Sequence, residues 1–292
     1  MTSSPAHGGA ALHLGTCAWS FEDWRGSFYP AHLGHGRWLE FYSECFGSVE
    51  VDSTFYAVPS RHTTEHWREV TPPDFLFSVK MPREITHDHK LHDAQTLLAG
   101  FLKSLEPLGE KLACVLVQLP PYFTLRHDEQ IFRNFVRSLP SHPRFAIEFR
   151  DPAWHQSRIV HLLEKHRVCW AWHDMSALSR ATEGPLDAMP LTTDFVYLRL
   201  LGDIKTKYDQ RGERLHRYAG LQWDRAEGLD LWALCIEQRM GTVGRVLAYA
   251  NNHFEGFAPE TLRRLGERLG VPVRLPEGRA DGLGGGQLEF FR

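Results

Sequence analysis

Short strand-like and helix-like segments alternate along almost the whole chain. The strand-like runs are rich in β-branched and aromatic residues, and they span 12–19, 48–56, 75–82, 113–120, 144–150, 168–174, 195–202 and 245–252. Segments with apolar residues at helical spacing lie between or after them, at 35–46, 63–70, 94–109, 129–139, 158–166, 229–240 and 259–270. Strands that alternate with helices predict a parallel sheet. Eight such strands in this length predict a (β/α)8 TIM-type barrel with outer helices, and a doubly wound open sheet is the alternative.

The same pattern predicts one domain with two tails. Residues 12–275 carry the alternation, residues 1–11 read as a flexible N-terminal tail, and residues 276–292 read as a C-terminal tail. The C-terminal tail contains GLGGG, which is a flexible linker composition, followed by LEFF, which we expect to dock elsewhere. No helix is evident in the connection 175–194.

Composition restricts the environment and the partners. The five cysteines are scattered singly without a Cys-x-x-Cys pair, which indicates reduced thiols and a cytoplasmic protein. The N-terminus lacks a basic region followed by an apolar run, and no stretch approaches the ~18 apolar residues of a membrane span. A net charge of −3 argues against broad nonspecific nucleic-acid binding but leaves room for a local basic patch.

The stretch GSVEVDSTFYAVP places valines and carboxylates on opposite faces of one strand. Val49 and Val51 point one way, and Glu50 and Asp52 point the other way, because successive side chains of a strand alternate. Five other strands also divide into an apolar face and a second face that bears polar residues, among them Cys17, Trp19, Ser78, Lys80, Gln118, Glu148, Arg150, Tyr197 and Arg199. A barrel accounts for this division if the apolar faces meet the helices and the charged ends face the lumen at the C-terminal mouth.

Two other interpretations fit the same alternation. An antiparallel sheet with one face in water would also produce it, although the intervening helices argue against that arrangement. Within a barrel, the charges would alternatively form an ion network that satisfies itself and has no ligand. Burying each ion without a partner costs several kcal/mol, so the charges must pair, be hydrated or meet a ligand.

Six motifs in a fixed order carry a family resemblance. They are GTCAWSFEDWRGSFYP (15–30), VEVDSTFYAVP (49–59), FLFSVKMPREITH (75–87), VLVQLPPYF (115–123), AIEFRDPAW (146–154) and ANNHFEGFAPETLRRL (250–265). Together they resemble the YecE-like family, domain of unknown function 72, from about Gly15 to Leu269. The resemblance implies a (β/α)8 barrel and leaves the biochemical activity open.

The resemblance also highlights individual positions. They are Trp19, Trp24, Phe28, Tyr29, Pro30, Glu50, Thr54, Phe55, Tyr56, Lys80, Thr86, His87, Gln118, Pro120, Glu148, Arg150, Trp154, Asn251, Asn252 and His253. This chain departs from the family pattern in having Asp52 where Asn is usual and Cys17-Ala18 where Ser-Gly is frequent. It also has Leu201 where the family typically has a histidine after strand seven, which leaves that position without its usual role.

The charged mouth predicts two classes of function. As an enzyme, the protein would be a metal-assisted hydrolase of a phosphoester or another anionic substrate, and the candidate catalytic residues are Glu50, Asp52, Lys80 and Glu148. A divalent metal would bind the carboxylates with His87, His173 or His253, although no compact metal motif is present. As a noncatalytic protein, it would bind an anionic small molecule or single-stranded nucleic acid.

The substrate-binding candidates are common to both functions. They are Trp19, Tyr56, His87, Gln118, Arg150, Arg199, Asn251, Asn252 and His253. The loop 202–220 carries an excess of Lys and Arg and is predicted to be either a lid that grips an anion or an ordinary solvated loop. The run HDHKLH at 87–92 is predicted to be a loop. No Gly-x-Ser-x-Gly elbow occurs, which disfavours acyl transfer.

Overall fold

Strands and helices alternate in the structure as the sequence predicts. The computed structural model describes residues 10–175, 189–203 and 217–276. The strands are β1 (Ala11–Thr16), β2 (Ser48–Val51), β3 (Leu76–Lys80), β4 (Leu112–Gln118), β5 (Phe145–Glu148), β6 (Cys169–Trp170), β7 (Trp172–His173), β8 (Phe195–Leu200) and β9 (Arg245–Ala250). The sixth predicted strand is therefore divided into β6 and β7 at Ala171.

The helices follow the strands along the described chain. They are α1 (Trp38–Cys45), α2 (Arg61–Glu69), α3 (Gln95–Leu105), α4 (Leu125–Ser138), α5 (Ser157–His166), α6 (Ala226–Met240), α7 (Asn252–Glu255) and α8 (Ala258–Arg268). Short 3-10 turns occur at Glu22–Trp24, His35–Arg37, Ser53–Phe55, Glu106–Lys111 and Pro152–Trp154, and a π-helix occurs at Glu84–Asp88. Among the described helices, none has the length and apolar character needed to cross a membrane.

The strands form two parallel sheets. One has five strands in the order β2-β3-β4-β5-β6, and the other has four in the order β1-β9-β8-β7. Every strand pair in the described chain is parallel, so the antiparallel alternative is wrong. The chain is therefore a mixed α/β protein in which helices connect parallel strands.

The two sheets approach each other at two places. Beyond the end of β1, Cys17 forms an isolated parallel bridge with Glu50 of β2, and the Ala18 N–H donates to the Glu50 carbonyl at 2.8 Å. A Cβ atom on Gly15 would lie 2.2 Å from the Ser48 carbonyl oxygen, so only glycine permits this approach of the two backbones. At the other place, Ala171 alone separates β6 from β7.

The two faces of the strands contribute to separate apolar clusters. Val49, Val51 and their counterparts in other strands pack with buried helix residues such as Leu98 and Phe132. A second, smaller cluster lies on the opposite face and includes Cys17, Cys114, Ala146, Tyr197 and Tyr249. Strand alternation therefore places one set of side chains under the helices and the other set away from them.

Local sequence explains where individual helices begin and which side they bury. The Ser60 hydroxyl accepts a hydrogen bond from the Thr63 N–H at 3.1 Å and caps α2 at its N-terminus. In α4, Phe132, Phe135 and Val136 are buried, as the helical spacing of apolar residues predicts.

The segment after β3 differs from its prediction. His87 and Asp88 belong to the π-helix Glu84–Asp88, so the prediction that all of 87–92 is a loop is wrong in its first two residues. The His89 N–H donates to the Glu84 carbonyl at 2.9 Å, and this bond widens the turn by one residue relative to an α-helix.

Some predicted features lie outside the described residues. They are most of the N-terminal tail (1–9), the greater part of the connection 175–194 (176–188), the basic stretch of loop 202–220 (204–216) and the C-terminal tail from 277 onward. The described chain begins with Ala10, which is buried, and β1 begins at Ala11.

Candidate functional site

A buried arginine joins two glutamates from different strands. The guanidinium of Arg199, on β8, donates to Glu50 Oε1 from Nη2 at 2.6 Å and from Nε at 3.1 Å. Its Nη1 donates to Glu148 Oε2 at 2.5 Å. All three side chains are buried. The geometry therefore matches the prediction that Glu50, Glu148 and Arg199 face one common centre, and the arginine is the ion that joins the two sheets there.

The register of the strands explains why these side chains meet. Glu148 is paired with Gln118 across β4 and β5, and Arg199 is paired with His173 across β7 and β8. Paired residues in parallel strands direct their side chains to the same face. Tyr197 lies two residues before Arg199 on the same face, and its hydroxyl donates to Glu50 Oε2 at 2.6 Å. Both oxygens of the Glu50 carboxylate are therefore occupied by protein donors.

A second set of charges lies nearer to solvent. Lys80 Nζ is 3.3 Å from Asp52 Oδ1, and Arg199 Nη2 reaches the same oxygen at 3.5 Å. Arg150 forms an ion pair with Glu148 Oε1. The side chains of Lys80, Arg150 and Asp52 are 12%, 14% and 24% exposed, whereas those of Glu50 and Glu148 are fully buried.

The network therefore has two layers of opposite charge. The buried layer consists of Glu50, Glu148 and Arg199, in which two carboxylates face one guanidinium. The partly exposed layer consists of Lys80, Arg150 and Asp52, in which Lys80 pairs with Asp52 and Arg150 pairs with Glu148 of the buried layer. When all six groups are ionised, the whole network is neutral, but the side that solvent reaches carries one excess positive charge.

The two buried glutamates respond differently to this environment. Burial raises the pKa of Glu50, and this effect and the charge of Asp52 together exceed the opposing effect of Arg199. Burial also acts to raise the pKa of Glu148, but Arg150 and Arg199 outweigh it and hold that pKa well below its usual range. The difference has a simple cause, because Glu148 faces two arginines and Glu50 shares one arginine with Asp52.

His87 lies beside the exposed layer as a neutral imidazole. Burial and the charges of Lys80 and Arg83 lower the pKa of His87 to about 4. Its Nδ1 is 2.9 Å from the Thr86 hydroxyl. The imidazole packs edge-on against the ring of Phe55, with ring centres 4.9 Å apart.

Four rings near Lys80 are linked by successive edge-to-face contacts, and we name this group the aromatic wall: Phe55, Tyr56, His87 and Tyr122. Phe55 is 5.2 Å from Tyr56 and 4.9 Å from His87, and His87 is 6.3 Å from Tyr122 between ring centres. The Lys80 ammonium lies 4.5 Å above the Phe55 ring. Tyr56 is 82% exposed and Tyr122 is 53% exposed, which is unusual for large aromatic side chains.

Two other predicted binding residues, Asn251 and Asn252, have hydrogen-bond partners within the protein. Asn251 caps α7, because its Oδ1 accepts from the His253 N–H at 3.0 Å. Asn252 is buried, and its Oδ1 accepts from the Trp24 indole at 3.3 Å and from the Ala258 N–H at 3.0 Å. These two asparagines hold the chain after β9 and do not join the ion network.

The remaining predicted residues are dispersed around the same end of the strands. Trp19 packs edge-on against Trp67 with ring centres 5.5 Å apart. The Nδ1 of His253 is 3.0 Å from the hydroxyl of Tyr218. Gln118 is partly exposed at the end of β4, and its amide has no hydrogen-bond partner among the described residues. The structure thus brings together Glu50, Asp52, Lys80, Glu148, Arg150 and Arg199, with His87 and Tyr56 beside them through Phe55.

Three members of the site are not among the predicted catalytic or binding residues: Phe55, which only the family resemblance highlights, Tyr197 and Tyr122. The sequence places Tyr197 on the same strand face as Arg199, and this alternation is a usable signal for its contact with the same carboxylate. Tyr122 had no such signal, because its position depends on the loop after β4 rather than on strand alternation.

Among the residues that the structure describes, one trio of side chains has the spacing of a metal site. Donor atoms of Cys17, Glu50 and Asp52 lie within 4.8 Å of one another. The carboxylate donors, however, already accept hydrogen bonds from Arg199 and Tyr197. Burial and the charge of Glu50 raise the pKa of the Cys17 thiol, so the thiolate that a metal requires is disfavoured. The donor set does not fit a divalent metal while Arg199 holds it.

The fold and site define a parallel α/β protein with a buried ion network at the C-terminal ends of its strands. A family model described as "Protein of unknown function DUF72" matches residues 13–280, and the chain belongs to this family. This finding confirms the resemblance seen in the motifs.

Individual relatives agree with this assignment. The chain is 32% identical over 141 residues to the UPF0759 protein YecE of Escherichia coli (strain K12), over 48% of this chain and 49% of that protein. It is 29% identical over 149 residues to the UPF0759 protein YunF of Bacillus subtilis (strain 168), over 49% of this chain and 52% of that protein. The aligned region spans about half the length of these curated relatives.

Solved structures support the same fold. The crystal structure of a DUF72 family protein from Thermotoga maritima MSB8 is similar with a TM-score of 0.70 and 27% identity, over 89% of this chain and 99% of that chain. A DUF72 family protein from Enterococcus faecalis V583 is similar with a TM-score of 0.66 and 19% identity, over 92% of this chain and 100% of that chain. At that identity, the second similarity bears on the fold alone.

Proposed function

We propose that the two sheets form one closed (β/α)8 barrel and that the ion network lies at its C-terminal mouth. The backbone contact between β1 and β2 at Gly15 and Ser48 and the single residue between β6 and β7 support closure. The small cluster that includes Cys114, Tyr197 and Tyr249 would then be the packed interior of the barrel.

We further propose that the mouth binds a small anionic molecule. The observation that carries this proposal is the excess positive charge of the partly exposed layer, in which Lys80 pairs with Asp52 while Arg150 pairs with the buried Glu148. A phosphate or carboxylate group of a ligand would meet two cations there, and charge-assisted hydrogen bonds to such groups are strong.

This choice favours the noncatalytic function over the metal-assisted hydrolase. A metal would need Glu50 and Asp52, and Arg199 already donates to one oxygen of each, Glu50 Oε1 and Asp52 Oδ1. Arg199 would have to move out of a buried position to release them, and Glu148 would lose one of its two guanidinium contacts. The same donors that neutralise the carboxylates therefore act against metal binding.

Binding measurements test the proposal directly. We expect inorganic phosphate to raise the melting temperature and to titrate by calorimetry, with Mg²⁺, Mn²⁺ and Zn²⁺ run in parallel. Lys80→Met should weaken phosphate binding about tenfold or more, since a hydrogen bond to a charged group is worth about 1.5–3 kcal/mol. The matched control is Lys165→Met, which removes an exposed lysine from α5.

The outcomes separate the two functions. Binding of phosphate that depends on Lys80 and not on Lys165 supports the anion site. A response to a divalent metal with no response to phosphate, or turnover of phosphomonoesters or phosphodiesters that needs the metal, would favour the hydrolase instead. Equal loss of phosphate affinity in both lysine variants would indicate nonspecific attraction.

The thiols support a proposal about the compartment. All five cysteines are free, and four of them are buried. We propose that the protein works in the reducing environment of the cytoplasm, where such thiols persist.

A further inference from the structure

We propose that the anion bound at the mouth carries a planar aromatic ring, and that this ring packs against the aromatic wall formed by Phe55, Tyr56, His87 and Tyr122. This inference rests on the proposed anion site and adds the chemical class of its ligand. It concerns a small molecule rather than a protein or a nucleic-acid strand.

The exposure of the wall is the first argument. Tyr56 projects with 82% of its surface in solvent, and Tyr122 projects with 53%. Large apolar surfaces that several side chains present together mark recognition sites, whereas single exposed side chains are ordinary. Here the exposed rings are linked to each other through edge-to-face contacts with the half-buried Phe55 and His87.

The rigidity of the wall is the second argument. Successive rings meet edge to face, at interplanar angles of 89°, 83° and 86°, which is a favoured geometry for aromatic contacts. The backbone beneath Phe55 is also fixed, because the Thr54 hydroxyl lies 2.6 Å from the Lys80 carbonyl and 2.8 Å from the Val51 carbonyl. A ligand ring would thus meet a surface that is already ordered.

The position of the wall relative to charge is the third argument. Lys80 Nζ lies 4.5 Å from the centre of the Phe55 ring and 3.3 Å from Asp52. A second ammonium, that of Lys90, lies 5.2 Å from the centre of the Tyr122 ring. A negative group at Lys80 and a ring attached to it by one or two bonds would therefore fit together, the first against the ammonium and the second against the aromatic wall.

His87 is suited to an uncharged role in this surface. Its imidazole is neutral at pH 7 because its pKa is about 4. A neutral ring packs against other rings without adding charge, so the positive potential of the site comes from the lysines and Arg150.

The experiment compares two phosphate esters of similar size. Phenyl phosphate has a flat aromatic ring, and cyclohexyl phosphate has a puckered saturated ring on the same anion. We expect calorimetry on the full chain to show that phenyl phosphate binds about two- to tenfold more tightly than cyclohexyl phosphate, which is the range of an aromatic contact beyond its buried area.

Among variants of the wall, Tyr56→Ala and Tyr122→Ala should reduce this preference, and Tyr56→Phe should keep it. Leu234→Ala, which shortens another exposed apolar side chain on α6, should change nothing.

The results distinguish the proposal of an aromatic ligand from the proposal of an anion site. If inorganic phosphate does not bind, the anion site fails and the ring proposal fails with it. If phosphate binds but the two esters bind equally, only the ring proposal is overturned. A phenyl preference that survives both alanine variants, or binding of a single-stranded oligonucleotide with no binding of phenyl phosphate, also overturns it. The two tyrosines are exposed, so we expect unchanged melting temperatures for the free variants.

Discussion

Replacing Arg199 with methionine should destabilise the protein in a pH-dependent manner. Arg199 donates to Glu50 at 2.6 and 3.1 Å and to Glu148 at 2.5 Å. Without it, Glu148 keeps its ion pair with Arg150, but Glu50 keeps only the Tyr197 hydroxyl. The main uncompensated charge is therefore one buried carboxylate. Breaking such a buried pair costs about 3–5 kcal/mol of unfolding free energy.

The pH dependence follows from the sign of the shift at Glu50. Its pKa in the folded protein is already raised, and loss of Arg199 raises it further. A carboxylate with a raised folded pKa destabilises the fold at pH values above that pKa, and the destabilisation vanishes below the unfolded value of about 4.3. The deficit of Arg199→Met relative to wild type should thus be larger at pH 8 than at pH 5.

Urea unfolding followed by tryptophan fluorescence measures the deficit, since the chain contains nine tryptophans. The double variant Arg199→Met/Glu50→Gln removes the orphaned charge, and the amide oxygen can still accept from Tyr197. We expect it to recover much of the lost stability and to show little dependence on pH between 5 and 8. A loss below about 1 kcal/mol for Arg199→Met, or an equal loss at both pH values, would refute the reasoning.

Three further predictions concern other groups at the mouth. The imidazole of His87 should titrate by NMR with a midpoint near pH 4. The unfolded chain then takes up this proton at a higher pH than the folded protein, so the free energy of unfolding should decrease as pH falls from 6.5 to 4. A midpoint near 6.5 would show that burial and the neighbouring cations do not lower the pKa of His87. The difference in unfolding free energy between wild type and Glu148→Gln should become smaller as pH falls below about 4.3. The reason is that Glu148 stabilises the fold only while its carboxylate is ionised and paired with Arg150 and Arg199. A difference that stays constant with pH would argue against these two ion pairs. Asn252→Ala should lower unfolding free energy by about 1–3 kcal/mol by leaving the Trp24 indole unpaired, with phosphate affinity unchanged, and a selective loss of affinity would return Asn252 to the binding residues.

Strand alternation made the core of the site predictable. The period of two in VEVD places Glu50 and Asp52 on one face of their strand. The same period places Glu148 and Arg199 on the polar faces of their own strands. Parallel strands bring their carboxyl ends to one edge, so a common location followed once the strands were recognised. The pairing of specific ions did not follow, because it depends on register, and the sequence contains no signal that sets Arg199 opposite Glu50 rather than Asp52.

Residues on the loops were less predictable than residues on the strands. Asn251 and Asn252 lie directly after β9, where a polar side chain can either cap the next helix or face the mouth. The structure uses both to cap or brace local backbone. The π-helix that positions His87 likewise has no simple sequence pattern, and Tyr122 reaches the aromatic wall only through the path of its loop.

Anomalous diffraction would show whether the mouth binds an anion or a divalent cation. Crystals soaked in tungstate, a heavy tetrahedral anion, should show a peak within hydrogen-bonding distance of Lys80 Nζ and the Arg150 guanidinium, and crystals soaked in Mn²⁺ should show none between Glu50 and Asp52. A manganese peak at those carboxylates with Arg199 displaced, and no tungstate at Lys80, would contradict the account.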